Sequence, residues 1–233
     1  MHSTDPQPIA AAIGDFQLPT GEHIDLEQRA RDYHRAALMK DRRTYWQSRT
    51  PPEYRAPEST AENPRHNFNL EHPAIQANRA QLERILSWQP GKVGLLASGR
   101  TDRGKTRAMF ALCHRLLCEQ GIDVGIWHAQ EFFSALQAEV RYGTDDAGHF
   151  IHRQASRPVL FIDDYGQEAL LQSRAEWSQG WFLKLVDHRV GHGLPLLLTT
   201  NLSAKDIAGN QTDHAANALL RRLINVAEPL KFT

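Results

Sequence analysis

Cysteine is nearly absent, with only Cys113 and Cys118 in 233 residues. On one expected helix their directions diverge, so a disulfide is not expected and both read as buried apolar side chains. Neither sign of charge predominates. Lys plus Arg number 27 and Asp plus Glu number 27, which removes any global electrostatic pull toward nucleic acid. A local basic face is compatible with that balance, because binding depends on where the charges sit. Long hydrophobic runs are also missing: nothing approaches the roughly 18 to 20 apolar residues of a membrane span. The opening stretch MHSTDPQPIAAAIGDFQLP has an acid, prolines and no basic cluster, so a leader peptide is not expected and the setting reads as cytoplasmic, with no membrane partner. There is no repeat or low-complexity segment. The twelve histidines are scattered. His149 and His152 lie close in sequence, as do His188 and His192, but without a cysteine cluster or HExxH they read as solvated or capping groups.

What is present is a soluble composition, 41% hydrophobic and 23% charged, in a length suited to one α/β domain with a short appendage. Residues 1–69 read as an N-terminal region: a loose tail to residue 21, a helix from Ile24 to about Ser48, and a connector, TPPEYRAPESTAENPRHNF, dense in proline and turn residues. Ile24, Ala30, Tyr33, Ala37, Leu38 and Tyr45 are candidates for the helix's apolar side, and Arg29, Arg31, Lys40, Arg42 and Arg43 are among its charges. Residues 70–233 read as the core. A helix over Leu70–Trp88 precedes a strand over Val93–Ser98; a helix over Thr106–Glu119, with Gly121 near its end, precedes a strand over Ile122–His128. Further helices are expected over Glu131–Arg141, Trp177–Val190 and Ala215–Val226, and all-apolar strands at Val159–Ile162 and Leu194–Thr199. Strands alternating with helices imply a mainly parallel sheet with helices on both faces.

Between the first core strand and its helix runs Gly99-Arg100-Thr101-Asp102-Arg103-Gly104-Lys105-Thr106, a full match to GxxxxGK[ST]. Strand, glycine-bounded loop and helix together point backbone N–H groups and a helix N-terminus at phosphate. Lys105 is expected to reach the β and γ phosphates of ATP, and Thr106 to place its hydroxyl on Mg²⁺. VLFIDD supplies the matching carboxylates: Asp163 for the metal, Asp164 to orient or activate the attacking water. The strand LPLLLTTN delivers Asn201 to the same sheet edge, where its amide can meet the γ phosphate or the water.

Lys105-Thr106, VLFIDDYG at 159–166, LVDHRVGHGLPLLLTTNLS at 185–203 and ALLRRLIN at 218–225 together resemble the ATPase core of the DnaC/IstB-type AAA+ proteins. These are replicative helicase loaders and ATPase subunits that assist transposition. The resemblance spans roughly residues 70–230 and implies a P-loop NTPase fold of AAA+ type without a C-terminal lid domain. It also implies a homo-oligomer, formed with nucleotide or on DNA, in which an arginine of one subunit completes the site of the next. The matching position is Arg222. Arg221 stands where the family has Asp or Ser, so the two arginines are not separated by sequence.

The N-terminal region divides the family: loaders use it to grip a helicase, transposition proteins to engage DNA or a transposase, and the arginine-rich helix here suits either. PPEYR at 51–55 resembles the connector of loader-like proteins and equally reads as a surface linker. Arg100, Arg103 and Arg107 are explained by phosphate chemistry or neighbour contacts without DNA. Any contact with single-stranded DNA or a fork is expected from the assembly, each subunit adding a few phosphate contacts. The leading expectation is an ATPase assisting DNA replication by loading or remodelling a replicative helicase. A transposition helper, a weakly hydrolysing nucleotide-dependent adaptor and a small-molecule kinase are the alternatives, the last disfavoured because residues 165–180 offer no clear acceptor site.

Overall fold

The computed structural model describes residues 26–55, 73–141, 146–166, 175–203 and 214–233. The expected tail, most of the proline-rich connector and Leu70 lie outside the described residues. The chain divides into two units, Met1–Leu38 and Met39–Thr233. In the first, the described residues form the opening turns of helix α1 (Leu26–Arg49), where Tyr33 and Leu38 are exposed.

In the second unit, α1 ends on the core: Trp46 is buried and its indole N–H donates to the Phe110 carbonyl (3.4 Å). A single 3-10 turn, Pro52–Tyr54, follows. The helix expected over Leu70–Trp88 is broken into α2 (Pro73–Gln76) and α3 (Arg79–Ser87). Its break falls at Asn78, buried and used elsewhere: the side-chain amide exchanges hydrogen bonds with the backbone of Thr233 (3.0 and 2.9 Å). Next come β1 (Gly94–Gly99), α4 (Lys105–His114), β2 (Val124–His128), α5 (Ala129–Arg141), α6 (Asp146–Ala155), β3 (Val159–Tyr165), α7 (Ala175–His192), β4 (Leu196–Thr200), α8 (His214–Val226) and β5 (Ala227–Phe232). Past α4 the chain widens into a π-helical turn over Arg115–Glu119 and stops near Gly121, whose φ of 69° suits glycine. Helix α6 and strand β5 are additions to the elements expected from sequence.

All strand pairs are parallel, in the order β2-β3-β4-β1-β5. Alternation along the strands sorts side chains to two faces. Leu95, Ala97, Val124, Ile126, Val159, Phe161, Leu197 and Phe232 join the cluster under α3, α4 and the end of α1. Leu96, Leu160, Ile162, Leu196 and Leu198 join the cluster under α5, α6, α7 and α8. Each fully buried Leu, Ile or Phe is worth about 1.5–3 kcal/mol relative to exposure. Strand β4, buried at all five positions, is therefore the fixed centre of the sheet. After β1 the chain crosses to the far edge, steps back to β4, then passes β1 to reach β5. That reversal beside β1 opens a crevice at the carboxyl ends of the strands, where parallel sheets take ligands.

Candidate functional site

The glycine loop leaves β1 at this crevice. Gly99 has φ of 128°, and a Cβ there would lie 2.0 Å from the Phe232 carbonyl oxygen of β5. Only glycine lets the loop begin so close to a neighbouring strand. Gly104, at φ of 82°, turns the chain into α4. Arg100, Thr101 and Asp102 are exposed along the loop, while Arg103 reaches back and donates to the Thr233 carbonyl (2.8 Å). Arg107 stands over the Tyr54 ring at 5.8 Å.

Lys105 is 5% exposed, and its ammonium lies beneath the loop. It donates to the carbonyls of Gly99 (2.8 Å) and Arg100 (2.6 Å) and to Oδ1 of Asn201 (3.1 Å), so residues from β1 and from the end of β4 meet on one cation. Burial lowers its pKa; the carboxylates of Asp164 and Asp163 oppose that shift.

Consecutive residues in a regular strand face opposite sides of the sheet, so Asp163 and Asp164 would ordinarily point apart. A bulge prevents this. Ile162 pairs with Leu198 and Tyr165 with Thr200, leaving two residues of β3 against one of β4, and Asp164 has φ of 54°. Such a positive φ is costly for a non-glycine residue, and bulges of this kind re-aim side chains. Thr199 holds the distortion: its hydroxyl accepts from the Asp164 N–H (2.9 Å) and donates to Oδ1 of Asp163 (2.5 Å). Thr106 donates to the same oxygen (3.0 Å), linking the first turn of α4 to β3. Burial pushes Asp163 up to about 6, with the neighbouring Asp164 charge adding to the rise and the two threonine hydrogen bonds opposing it.

His128, not singled out from sequence, ends β2 in register with Asp163. Its Nε2 lies 3.7 Å from Oδ2 of Asp164, and ligand atoms of His128, Asp163 and Asp164 fall within 4.8 Å of one another. The Gln130 N–H donates to Nδ1 (3.3 Å), so the proton of the neutral ring belongs on Nε2, facing Asp164. The Nε2–H therefore faces that carboxylate at ion-pair range, longer than a hydrogen bond, and the ring would have to lose its backbone contact to act as a metal ligand through Nδ1. Asp164 in turn raises the His128 pKa, against burial. The sequence signal for His128 was its place at a strand end one strand over from the paired acids.

Lys105, Thr106, Asp163, Asp164 and Asn201 are thus gathered at one sheet edge. Arg222 is not with them. On α8 it pairs with Asp187 of α7 in the same chain and donates to the Ala218 carbonyl (3.4 Å), while Arg221 is exposed.

Comparison with solved structures finds the same fold in replication proteins. The DnaC helicase loader superposes with a TM-score of 0.53 at 21% identity, over 67% of this chain and 89% of that one. Domain III of the Thermotoga maritima replication initiation protein DnaA gives 0.55 at 18% identity, over 79% and 69%. AMPPCP-bound DnaA from Aquifex aeolicus gives 0.51 at 17%, over 67% and 47%. No family model and no curated protein matches the chain. The chain has the α/β fold of these proteins, a parallel sheet flanked by helices.

Proposed function

We propose that this protein is a Mg²⁺-dependent ATPase of AAA+ type that assists DNA replication by loading or remodelling a replicative helicase. The observation that carries this reading is the meeting, at the reversal in strand order, of a buried Lys105 under a glycine-bounded loop with the Thr106–Asp163–Thr199 chain and Asp164.

The donor set fits the nucleotide and its ion. Gly99 through Thr106 would surround the phosphates, and Lys105, now satisfied by loop carbonyls and Asn201, would turn its ammonium toward them. The oxygens of Thr106 and Asp163 are hard ligands suited to Mg²⁺, which when bound offsets charge on the phosphoryl oxygens. Asp164, aimed by its bulge and by His128, would accept a proton from the attacking water. Asn201 would hold that water or the γ phosphate by its amide. Arg222, or Arg221 beside it, would act on the nucleotide of an adjacent subunit. The fold shared with a helicase loader and with replication initiators supports the biological setting. DNA contact would come from the assembled subunits, each adding a few phosphate contacts.

Two measurements test the reading. Lys105→Ala protein should lose ATP affinity by titration calorimetry, whereas Asp164→Asn should bind ATP and lose most turnover. Incubation with the replicative helicase of the same organism and ATP should give helicase loaded on circular single-stranded DNA. Undiminished ATP binding in folded Lys105→Ala protein would overturn the site. Normal ATP hydrolysis without any helicase loading, together with stimulation by a transposase, would leave the site intact and move the function to transposition.

A further inference from the structure

The turn PPEYR, at the head of the connector, packs on the core beside the crevice. Trp46 and Thr50 are buried just ahead of it, and Tyr54 is half-buried. Pro51 and Pro52 pre-set the backbone, the Tyr54 N–H donates to the Pro51 carbonyl (2.9 Å), and Nε of Arg55 donates to the Thr50 carbonyl (2.8 Å). The turn is thus fixed by its own bonds.

It delivers Tyr54 to the opening turns of α4. The Tyr54 ring stacks on Phe110, with centroids 5.5 Å apart and planes 19° from parallel, and the Arg107 guanidinium stands 5.8 Å from its centroid. Phe110 in turn meets Phe161 of β3 edge to face at 5.3 Å. Side chains two apart on a strand share a face, so Asp163 follows Phe161 on this same face, where it receives the Thr106 hydroxyl. Tyr54 therefore stands on the Asp163 side of α4, alongside the turn that carries Thr106. Electrostatics agrees with that placement: burial first, then the Glu53, Asp163 and Asp164 charges raise the Tyr54 pKa, against Arg107. Both acids of the crevice act on this phenol.

Stacking alone asks for no hydroxyl, and phenylalanine would serve it. Tyr45 uses its own hydroxyl to accept from the Ile126 N–H (3.1 Å), whereas no hydrogen bond to a described residue engages that of Tyr54. A raised pKa keeps the group an O–H donor at neutral pH, the form that an anionic oxygen needs. We propose that Tyr54 belongs to the nucleotide site, its hydroxyl donating to the terminal phosphate of ATP, so that the connector helps to tell ATP from ADP. The inference rests on the nucleotide reading above, in which the terminal phosphate lies beside Asp163, Asp164 and Asn201. Phe110 and Arg107 position the ring. The donor comes from outside the strand-end motifs, in the segment that joins α1 to the core.

The test is calorimetric titration of the full chain with Mg²⁺ and either AMPPCP, which keeps a third phosphate, or ADP. Tyr54→Phe preserves the stack on Phe110 and removes only the hydroxyl. It should weaken AMPPCP binding by about tenfold, the scale of a hydrogen bond to a charged group, and leave ADP affinity unchanged. Lys105→Ala serves as the control for the loop. Wild-type affinity for AMPPCP in Tyr54→Phe, with binding lost in Lys105→Ala, would overturn the role of Tyr54 and leave the nucleotide site standing. Equal weakening of AMPPCP and ADP would also overturn it, because the hydroxyl would then not address the third phosphate. Full binding of both nucleotides in folded Lys105→Ala protein would remove the nucleotide reading and this proposal with it.

Discussion

Asp163 is carried by β3 into a setting where burial makes a charge costly, raising its pKa to about 6 from the ordinary 3.8. Between those values the folded chain binds more protons than the unfolded one, so its stability falls as pH rises from about 4 to about 6. Ionised Asp163 then costs the ligand-free fold on the order of 2–3 kcal/mol at neutral pH. Asp163→Asn keeps an oxygen for the Thr106 and Thr199 hydroxyls, so the variant should melt several degrees higher at pH 7.5. The difference should vanish near pH 4, as differential scanning calorimetry would register. His128 calls for a different measurement. If its Nε2–H fixes the Asp164 carboxylate, His128→Ala should lower ATP turnover by roughly an order of magnitude while leaving ATP affinity close to wild type; an equal loss in both would mark a merely structural role. The loop residues were legible because glycine, lysine and threonine at fixed spacing have few other uses between a strand and a helix. Asp163 and Asp164 were assigned to the site together, but the bulge that lets adjacent strand residues converge was not legible, because it depends on Thr199 from another strand.

Among the elements, α6 and β5 escaped the sequence reading for opposite reasons. Helix α6 does carry a helical stripe, with Ala147, Phe150, Ile151, Gln154 and Ala155 buried, but Gly148 and its histidines dilute the pattern. Strand β5 contains Pro229, which ordinarily argues against a strand; it is admitted because β5 is an edge and needs hydrogen bonds on one side only. Parallel packing itself followed from the unbroken apolar runs of β3 and β4. Arg189, at the end of α7, shows what motif reading leaves out. Fully buried, it donates to the carbonyls of Ala155, Arg157 and Pro195, tying α6, the entry to β3 and the entry to β4 together. Burial without a carboxylate partner brings its pKa down to about 9. Arg189→Ala would orphan these carbonyls and leave a void, so a loss of about 3 kcal/mol is expected, or roughly 6–12 °C in Tm for a chain of this size. Urea denaturation followed by circular dichroism would measure it.

For the whole molecule, the sharpest question is whether one chain suffices for catalysis. Arg222 is held by Asp187 of its own chain, so service to a neighbour's nucleotide requires that pair to open on assembly. Mixing excess Lys105→Ala protein, which retains Arg222, with Arg222→Ala protein, which retains the loop, should restore ATP hydrolysis that neither has alone. Co-assembly without restored turnover would sink the shared-site arrangement, and loss on Arg221→Ala instead would shift the register by one residue. One further property follows from β5, which runs parallel to β1 from Gly94↔Ala227 to Gly99↔Phe232 and is pinned to α3 by the Arg84–Glu228 pair (2.5 Å) and a Gln81 bond to the Lys231 carbonyl (3.2 Å). Tension applied between Lys92 and Thr233 would load this ladder in shear, with its bonds resisting together. Because Arg103 of the glycine loop grips the Thr233 carbonyl, the same pull is transmitted to the loop, so the crevice would register mechanical strain applied to β5.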